Sequence, residues 1–171
     1  SKRRQRKLYP ELKGHNFLFS RGMVSDDTEH TIMVARAIME SGSDVENFTK
    51  NLAWKLRFWF LGMPAGIGMA TLKASIKLWL GFSGNKSGVF SAGNGPAMRS
   101  AIIGVIYGNE PDIMKKMVRA STRITHTDPK AEAGALAVAL AAHMAVKEAT
   151  PDDYCNELEK LLGSEGNELI E

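Results

Sequence analysis

The chain has 171 residues, with 22 Lys and Arg against 19 Asp and Glu, a formal net charge of +3. That length suits one domain with a real core, and 44% hydrophobic against 24% charged residues argues against disorder. A single cysteine, Cys155, excludes an internal disulfide framework and a cysteine-rich zinc site, and its lack of an adjacent base predicts a buried, inert thiol.

No run of 18 uncharged apolar residues occurs. The richest stretch, 52–61, is broken by Lys55 and Arg57, so no membrane-spanning helix is expected. The N-terminus is charged with no apolar run behind it, which predicts no signal peptide and a cytoplasmic, reducing location. Lys2, Arg3, Arg4, Arg6 and Lys7 form a basic head, while residues 157–171 are acid-rich. Such a head is either a solvated chain end or a surface for nucleic acid or an anionic membrane. No aromatic residues interleave with these cations, so a base-stacking platform is not indicated.

Residues 1–24 lack periodicity and read as irregular structure; from Ser25 onward the pattern is helical nearly throughout. A first helix is expected over about 27–40, with Ile32, Ala35 and Met39 at helical spacing, Val34 and Ile38 widening the stripe, and Gly42 as the stop. A second opens at Ser43, with Glu46 three residues on in a capping-box arrangement. Along it Val45, Phe48, Leu52, Leu56 and Trp59 recur every three or four residues. Residues 62–68 carry a proline and three glycines and interrupt the pattern. The next helix, about 69–80, carries Leu72, Ile76, Trp79 and Leu80. Residues 81–95, with five glycines, three serines and two asparagines, read as a loop. Helical patterns return at about 97–107, 112–123 and, alanine-rich, 129–148. The last, about 151–162, has Thr150 as cap, Pro151 in its first turn and Gly163 at its end. No alternating strand pattern is present, so the class is all-α. The small side chains of 133–142 predict a helix at the centre of a bundle.

Three short segments could carry chemistry. Ser25-Asp26-Asp27-Thr28 stands at a helix start, where Ser and Asp serve as caps and acids suit the positive helix end. Two adjacent carboxylates flanked by hydroxyls also offer hard oxygen ligands to Mg²⁺ or Mn²⁺. Ser91-Ala92-Gly93-Asn94-Gly95 runs into Pro96-Ala97-Met98-Arg99, and is either a plain Asn-Gly turn or a loop whose backbone N–H groups hold a phosphate. In Thr125-His126-Thr127-Asp128-Pro129, His126 can donate a hydrogen bond, act as base or bind a metal, or the segment simply caps the next helix through Thr127 or Asp128. His15, His30 and His143 have no partner at metal-ligand spacing, although His30 and Thr31 follow the acidic pair. The nine methionines lie mostly on helical faces and read as core. Walker, dinucleotide-binding and Gly-x-Ser-x-Gly patterns are absent.

Taken in order, Ser25-Asp26-Asp27-Thr28-Glu29, then Ser91-Ala92-Gly93-Asn94-Gly95 with Met98-Arg99, then Thr125-His126-Thr127-Asp128-Pro129, the chain resembles the ADP-ribosylglycohydrolase family over about residues 20–150. The stretch Trp59-Phe60-Leu61-Gly62-Met63-Pro64-Ala65-Gly66-Ile67-Gly68 is similar to one branch of it. The resemblance implies an orthogonal helical bundle with paired Mg²⁺ or Mn²⁺ ions in a central cleft. It implies hydrolysis of the glycosidic bond between ADP-ribose and a protein side chain or small acceptor. It also implies metal binding by Ser25, Asp26 and Asp27, and a substrate pocket made by Ser91, Gly93, Asn94, Gly95 and His126.

The chain departs from the family pattern at both ends. An N-terminal helix with Gly-Asp and a nearby Glu is missing, and nothing after Thr150 matches the C-terminal Asp-x-Asp-Thr motif. The chain is therefore expected to be an internal fragment, with the remaining metal ligands outside it. Two aspartates cannot complete an octahedral shell, so metal binding by this chain alone is expected to be weak, and its activity stays open. Two alternatives stand beside the hydrolase: a non-catalytic relative acting as a structural or ADP-ribose-binding protein, and an anion or nucleic-acid binder using the basic head.

Overall fold

A computed structural model describes Lys7 and residues 24–64 and 66–163. The irregular stretch expected up to residue 23, most of the basic head, His15 and the acidic residues beyond Gly163 lie outside the described residues. The described chain is all-α, as the periodicity predicts. Its helices are α1 (Asp26–Ser41), α2 (Val45–Leu61), α3 (Met69–Trp79), the single turn α4 (Gly84–Ser87), α5 (Ala101–Tyr107), α6 (Pro111–Arg123), α7 (Pro129–Val146) and α8 (Pro151–Leu162). A 3₁₀ turn, Ala97–Arg99, precedes α5, so the expected helix over 97–107 is split at Ser100.

Local chemistry sets most boundaries. Gly42 ends α1 at φ 55°, its N–H returning to the Ile38 carbonyl. The cap of α2 is Asp44 and not the expected Ser43: one carboxylate oxygen accepts from the N–H groups of Glu46 and Asn47, both at 3.0 Å. An ionised acceptor there satisfies two donors that a hydroxyl would share less well. Asp128 caps α7 by accepting from Lys130 N–H at 2.9 Å. Thr150 and Asp153 form a reciprocal capping box at α8.

The core joins Val34, Ala37 and Ile38 of α1 to Phe48, Leu52 and Leu56 of α2, Ile103 of α5, Met114, Met117 and Val118 of α6, and Ala135 and Ala139 of α7. As expected, α7 is central: it packs on α5, α6, α8 and the 3₁₀ turn. The approach to α5 is set by Gly104, where a Cβ would fall on the Ala139 carbonyl oxygen.

Several expectations of burial fail, chiefly because apolar character does not by itself fix which face turns inward. On α1 the buried face is His30, Met33, Val34, Ala37 and Ile38, leaving Ile32 and Met39 exposed. On α3 the small residues Thr71, Ala74 and Ser75, with Leu78, face inward, while Ile76, Trp79 and Leu80 face out. Cys155 is exposed and not buried, because α8 rests on α7 by one side and none of its residues is fully buried. The methionines divide likewise: Met114 and Met117 are core, whereas Met39, Met63 and Met69 are exposed.

Candidate functional site

Ser25 precedes α1 in an extended conformation, and its carbonyl accepts from Thr28 and Glu29 N–H. Its hydroxyl caps nothing, so the capping reading of this segment rests on the backbone alone. Ser25, Asp27 and Thr28 are exposed and Asp26 is half-buried, which leaves oxygen donors at the positive end of a sixteen-residue helix. Among the described residues, no three His, Cys, Asp or Glu side chains come together. Ser25, Asp26 and Asp27 thus suit Mg²⁺ or Mn²⁺ in kind, as hard oxygens, but supply only part of a coordination shell.

The glycine loop leads into the 3₁₀ turn that packs on α1. Ser91 Oγ accepts from Gly93 N–H at 3.3 Å, and the Asn94 carbonyl accepts from Met98 N–H at 3.1 Å, leading the loop into the 3₁₀ turn. Gly93 and Asn94 are exposed. Thr31 Oγ1 on α1 donates to the Asp27 carbonyl at 2.8 Å and lies 3.4 Å from the Met98 carbonyl, which ties the acidic helix to the end of the loop.

His126 fills the inner side of that loop. An isolated parallel bridge to Val89 fixes its backbone, with Val89 N–H donating to the Thr125 carbonyl and Thr127 N–H to the Val89 carbonyl. A Cβ on Gly93 would lie 2.9 Å from His126 Nε2, and one on Gly95 2.9 Å from Cε1. Both positions must therefore be glycine for the backbone to approach the ring so closely. His126 Nδ1 lies 2.8 Å from Thr125 Oγ1.

Behind the ring is Arg99, with no exposed surface. Its Nε donates to Ser121 Oγ at 3.0 Å. Its Nη2 donates to the Ser121 carbonyl and to Thr125 Oγ1, each at 2.7 Å, and Nη1 lies 3.3 Å from His30 Nδ1. His30 is fully buried edge-on to Trp59, centroids 4.4 Å apart, and Trp59 Nε1 donates to Glu29 at 2.7 Å. His30 Nε2 has no partner among the described residues. Burial, reinforced by the Arg99 charge, pulls His30 down to about 3 and His126 down to about 4. Both rings are neutral at pH 7. Arg99 itself is pulled by burial to about 10 and keeps its charge there.

One residue links the surroundings of the three segments: Arg99 touches His30, on α1 beyond Ser25–Thr28, and Thr125 of the histidine segment, and follows directly from the glycine loop, whereas no hydrogen bond among the described residues joins the Ser25, Asp26 or Asp27 side chains to the loop or to His126. Reading the sequence places Arg99 within a motif without assigning it this role. Its signal was available: a lone cation in the otherwise apolar and small run 96–107. Trp59, Glu29 and Ser121 carried no such signal. His143 lies elsewhere, against Gly108. A cationic surface, formed by Lys115, Lys116, Arg119 and Arg123, lines a cavity of about 410 Å³ between α6, α7 and α8; Glu132 pairs with Arg123 there at 3.1 Å. No helix among the described residues is long and apolar enough to cross a membrane.

The sequence profile of the ADP-ribosylglycohydrolases matches residues 1–170, and the chain belongs to the ADP-ribosylglycohydrolase family. It is similar to an uncharacterised protein of Archaeoglobus fulgidus, 33% identical over 174 residues, covering 97% of this chain and 55% of that protein. It is also similar to ADP-ribosyl-[dinitrogen reductase] glycohydrolase of Rhodospirillum rubrum, 28% identical over 126 residues, covering 71% of this chain and 41% of that enzyme. The chain therefore spans about half the length of these relatives.

Proposed function

We propose that this chain carries the ADP-ribose pocket and part of the metal site of a hydrolase that cleaves the glycosidic bond between ADP-ribose and an acceptor. The acceptor is a protein side chain or a small molecule. One observation carries the reading: Arg99 links α1, the glycine loop and the histidine segment. In this reading Ser91, Gly93, Asn94 and Gly95 present a close-approach backbone, exposed at Gly93 and Asn94, to the diphosphate and ribose, and His126 contributes a neutral ring to the same pocket. Ser25, Asp26 and Asp27 would hold Mg²⁺ or Mn²⁺, which when bound orients ribose hydroxyls and activates water. Thr31, bonded to the Asp27 carbonyl and beside that of Met98, keeps the metal-binding end of α1 in register with the loop. The family's name and the Rhodospirillum relative's name support an ADP-ribosylated substrate.

One observation favours a second reading, an ADP-ribose-binding relative without catalysis. The described acidic groups do not assemble into a complete metal-binding cluster.

Calorimetric titration of ADP-ribose into the chain, with and without Mg²⁺ or Mn²⁺, separates the two. The hydrolase reading expects binding that depends on the metal and falls about tenfold or more in Asp26→Asn, with helix content unchanged. Asn94→Ala is expected to weaken ADP-ribose binding while leaving metal binding in place. Equal affinity with and without metal would favour the second reading. Absence of binding under every condition would reject the pocket assignment.

A further inference from the structure

We infer that Arg99 is a positioning residue that acts through the Thr125 hydroxyl to hold His126 in one tautomer, with its proton on Nε2 facing residues 93–95 as a hydrogen-bond donor. The ligand that would meet this donor rests on the proposed function; the tautomer itself is a property of the free chain.

The argument is a proton count. A guanidinium has five donors and no acceptor. Arg99 is wholly buried, and each hydrogen-bond partner the structure gives it is neutral: a hydroxyl and a carbonyl of Ser121, the hydroxyl of Thr125, and a ring nitrogen of His30. A buried cation held by neutral acceptors dictates the direction of every bond around it. His30 Nδ1 must accept, so the neutral His30 ring carries its proton on Nε2. Thr125 Oγ1 must accept from Nη2, which leaves its single proton to give.

The group placed to take that proton is His126 Nδ1, at 2.8 Å. Were Nδ1 the protonated atom, it would donate into the second lone pair of Thr125 Oγ1. The Thr125 hydroxyl proton would then be buried without an acceptor, at the cost of an unsatisfied polar group. The arrangement that pairs the Thr125 proton, and leaves fewer buried polar groups unmet, puts the ring proton on Nε2, where no described residue of the free chain offers it an acceptor. That atom is the one against the Gly93 backbone. The ring is buried under the loop, so only a ligand oxygen that reaches it beside the Gly93–Gly95 backbone would meet this N–H, and the cation behind the ring opposes a second proton on it. Arg99 itself has no exposed surface and reaches no ligand, so its effect on binding passes through Thr125 and His126.

The test is two-bond ¹H–¹⁵N correlation NMR on the ¹⁵N-histidine-labelled chain, without ligand, with the His126 signals assigned by their loss in His126→Gln. The wild type is expected to show an unprotonated Nδ1 and a protonated Nε2 from pH 6 to 8. Thr125→Val, which removes the hydroxyl at nearly constant shape, is expected to yield a mixed tautomer pattern and about tenfold weaker ADP-ribose binding. Thr125→Ser should restore both. Arg99→Lys should also lose the single tautomer; if it fails to fold, Thr125→Val still decides the question. A wild-type ring protonated on Nδ1, or a Thr125→Val pattern identical to wild type, would overturn the inference. A fixed Nε2–H tautomer in a chain that does not bind ADP-ribose would uphold it and reject the proposed ligand instead.

Discussion

Arg99, His30 and His126 form a group in which one charge holds two rings neutral, and this has a consequence for stability in acid. In the unfolded chain both histidines titrate near 6.5, whereas in the folded chain they titrate at about 3 and about 4. As pH falls below 6.5 the unfolded state therefore takes up protons that the folded state refuses. The stability conferred by the neutral rings is full above that pH and is lost on the way down, to about 4 for His126 and about 3 for His30, each ring contributing a slope of ~1.4 kcal/mol per pH unit. Urea titrations at pH 7, 6 and 5 should show this steep decline, and His126→Gln should flatten it by about half if the folded chain survives the exchange. At this scale the sequence was partly legible. Asp26, Asp27, Asn94 and His126 stand in short motifs whose residue types suggest the chemistry proposed for them. Arg99 shows in the sequence only as a lone cation in the apolar and small run 96–107; its role rests on total burial beside Ser121 and Thr125, more than twenty residues away in the chain. Contacts at that separation leave no periodic trace.

At the scale of helices, boundaries were readable where a local rule decides them and faces were not. Pro151–Leu162 follows from Thr150, Pro151 and Gly163, and its ends were as expected. The inward face of α3 depends on close packing against α2 and α4, which favours Ala74 and Ser75 over Ile76 and Trp79. Hydrophobicity alone points the wrong way there. The α5–α7 contact is the sharpest example of steric control. Because a Cβ at residue 104 would occupy the position of the Ala139 carbonyl oxygen, Gly104→Ala must push the two helices apart. A loss of about 3 kcal/mol is expected in chemical denaturation. A change below about 1 kcal/mol would mean that α5 can slide along α7 without disturbing the core. Since Ser100 and Arg99 precede α5 directly, the same variant should also broaden the His126 signals.

At the scale of the molecule, α2 and α3 turn a set of large apolar side chains outward. Trp54 is 56% exposed, Leu61 57% and Leu80 72%. Trp54, Phe58 and Trp79 stack edge to face in sequence, with centroids 4.7 and 5.8 Å apart, and Arg57 lies over the Trp54 ring. A contiguous aromatic surface of this kind is uncommon on a folded monomer. It gives the native chain an optical property normally taken as a sign of damage. Dyes such as anilinonaphthalene sulfonate brighten on exposed hydrophobic surface, and their signal is used to diagnose loosely packed intermediates. Here they should brighten on the fully folded chain, and Trp54→Ala with Phe58→Ala should dim them while the unfolding transition stays cooperative. If the dye stays dark on the wild type, the aromatic face is covered in solution. If it brightens, fluorescence read during refolding would report the finished molecule as unfinished.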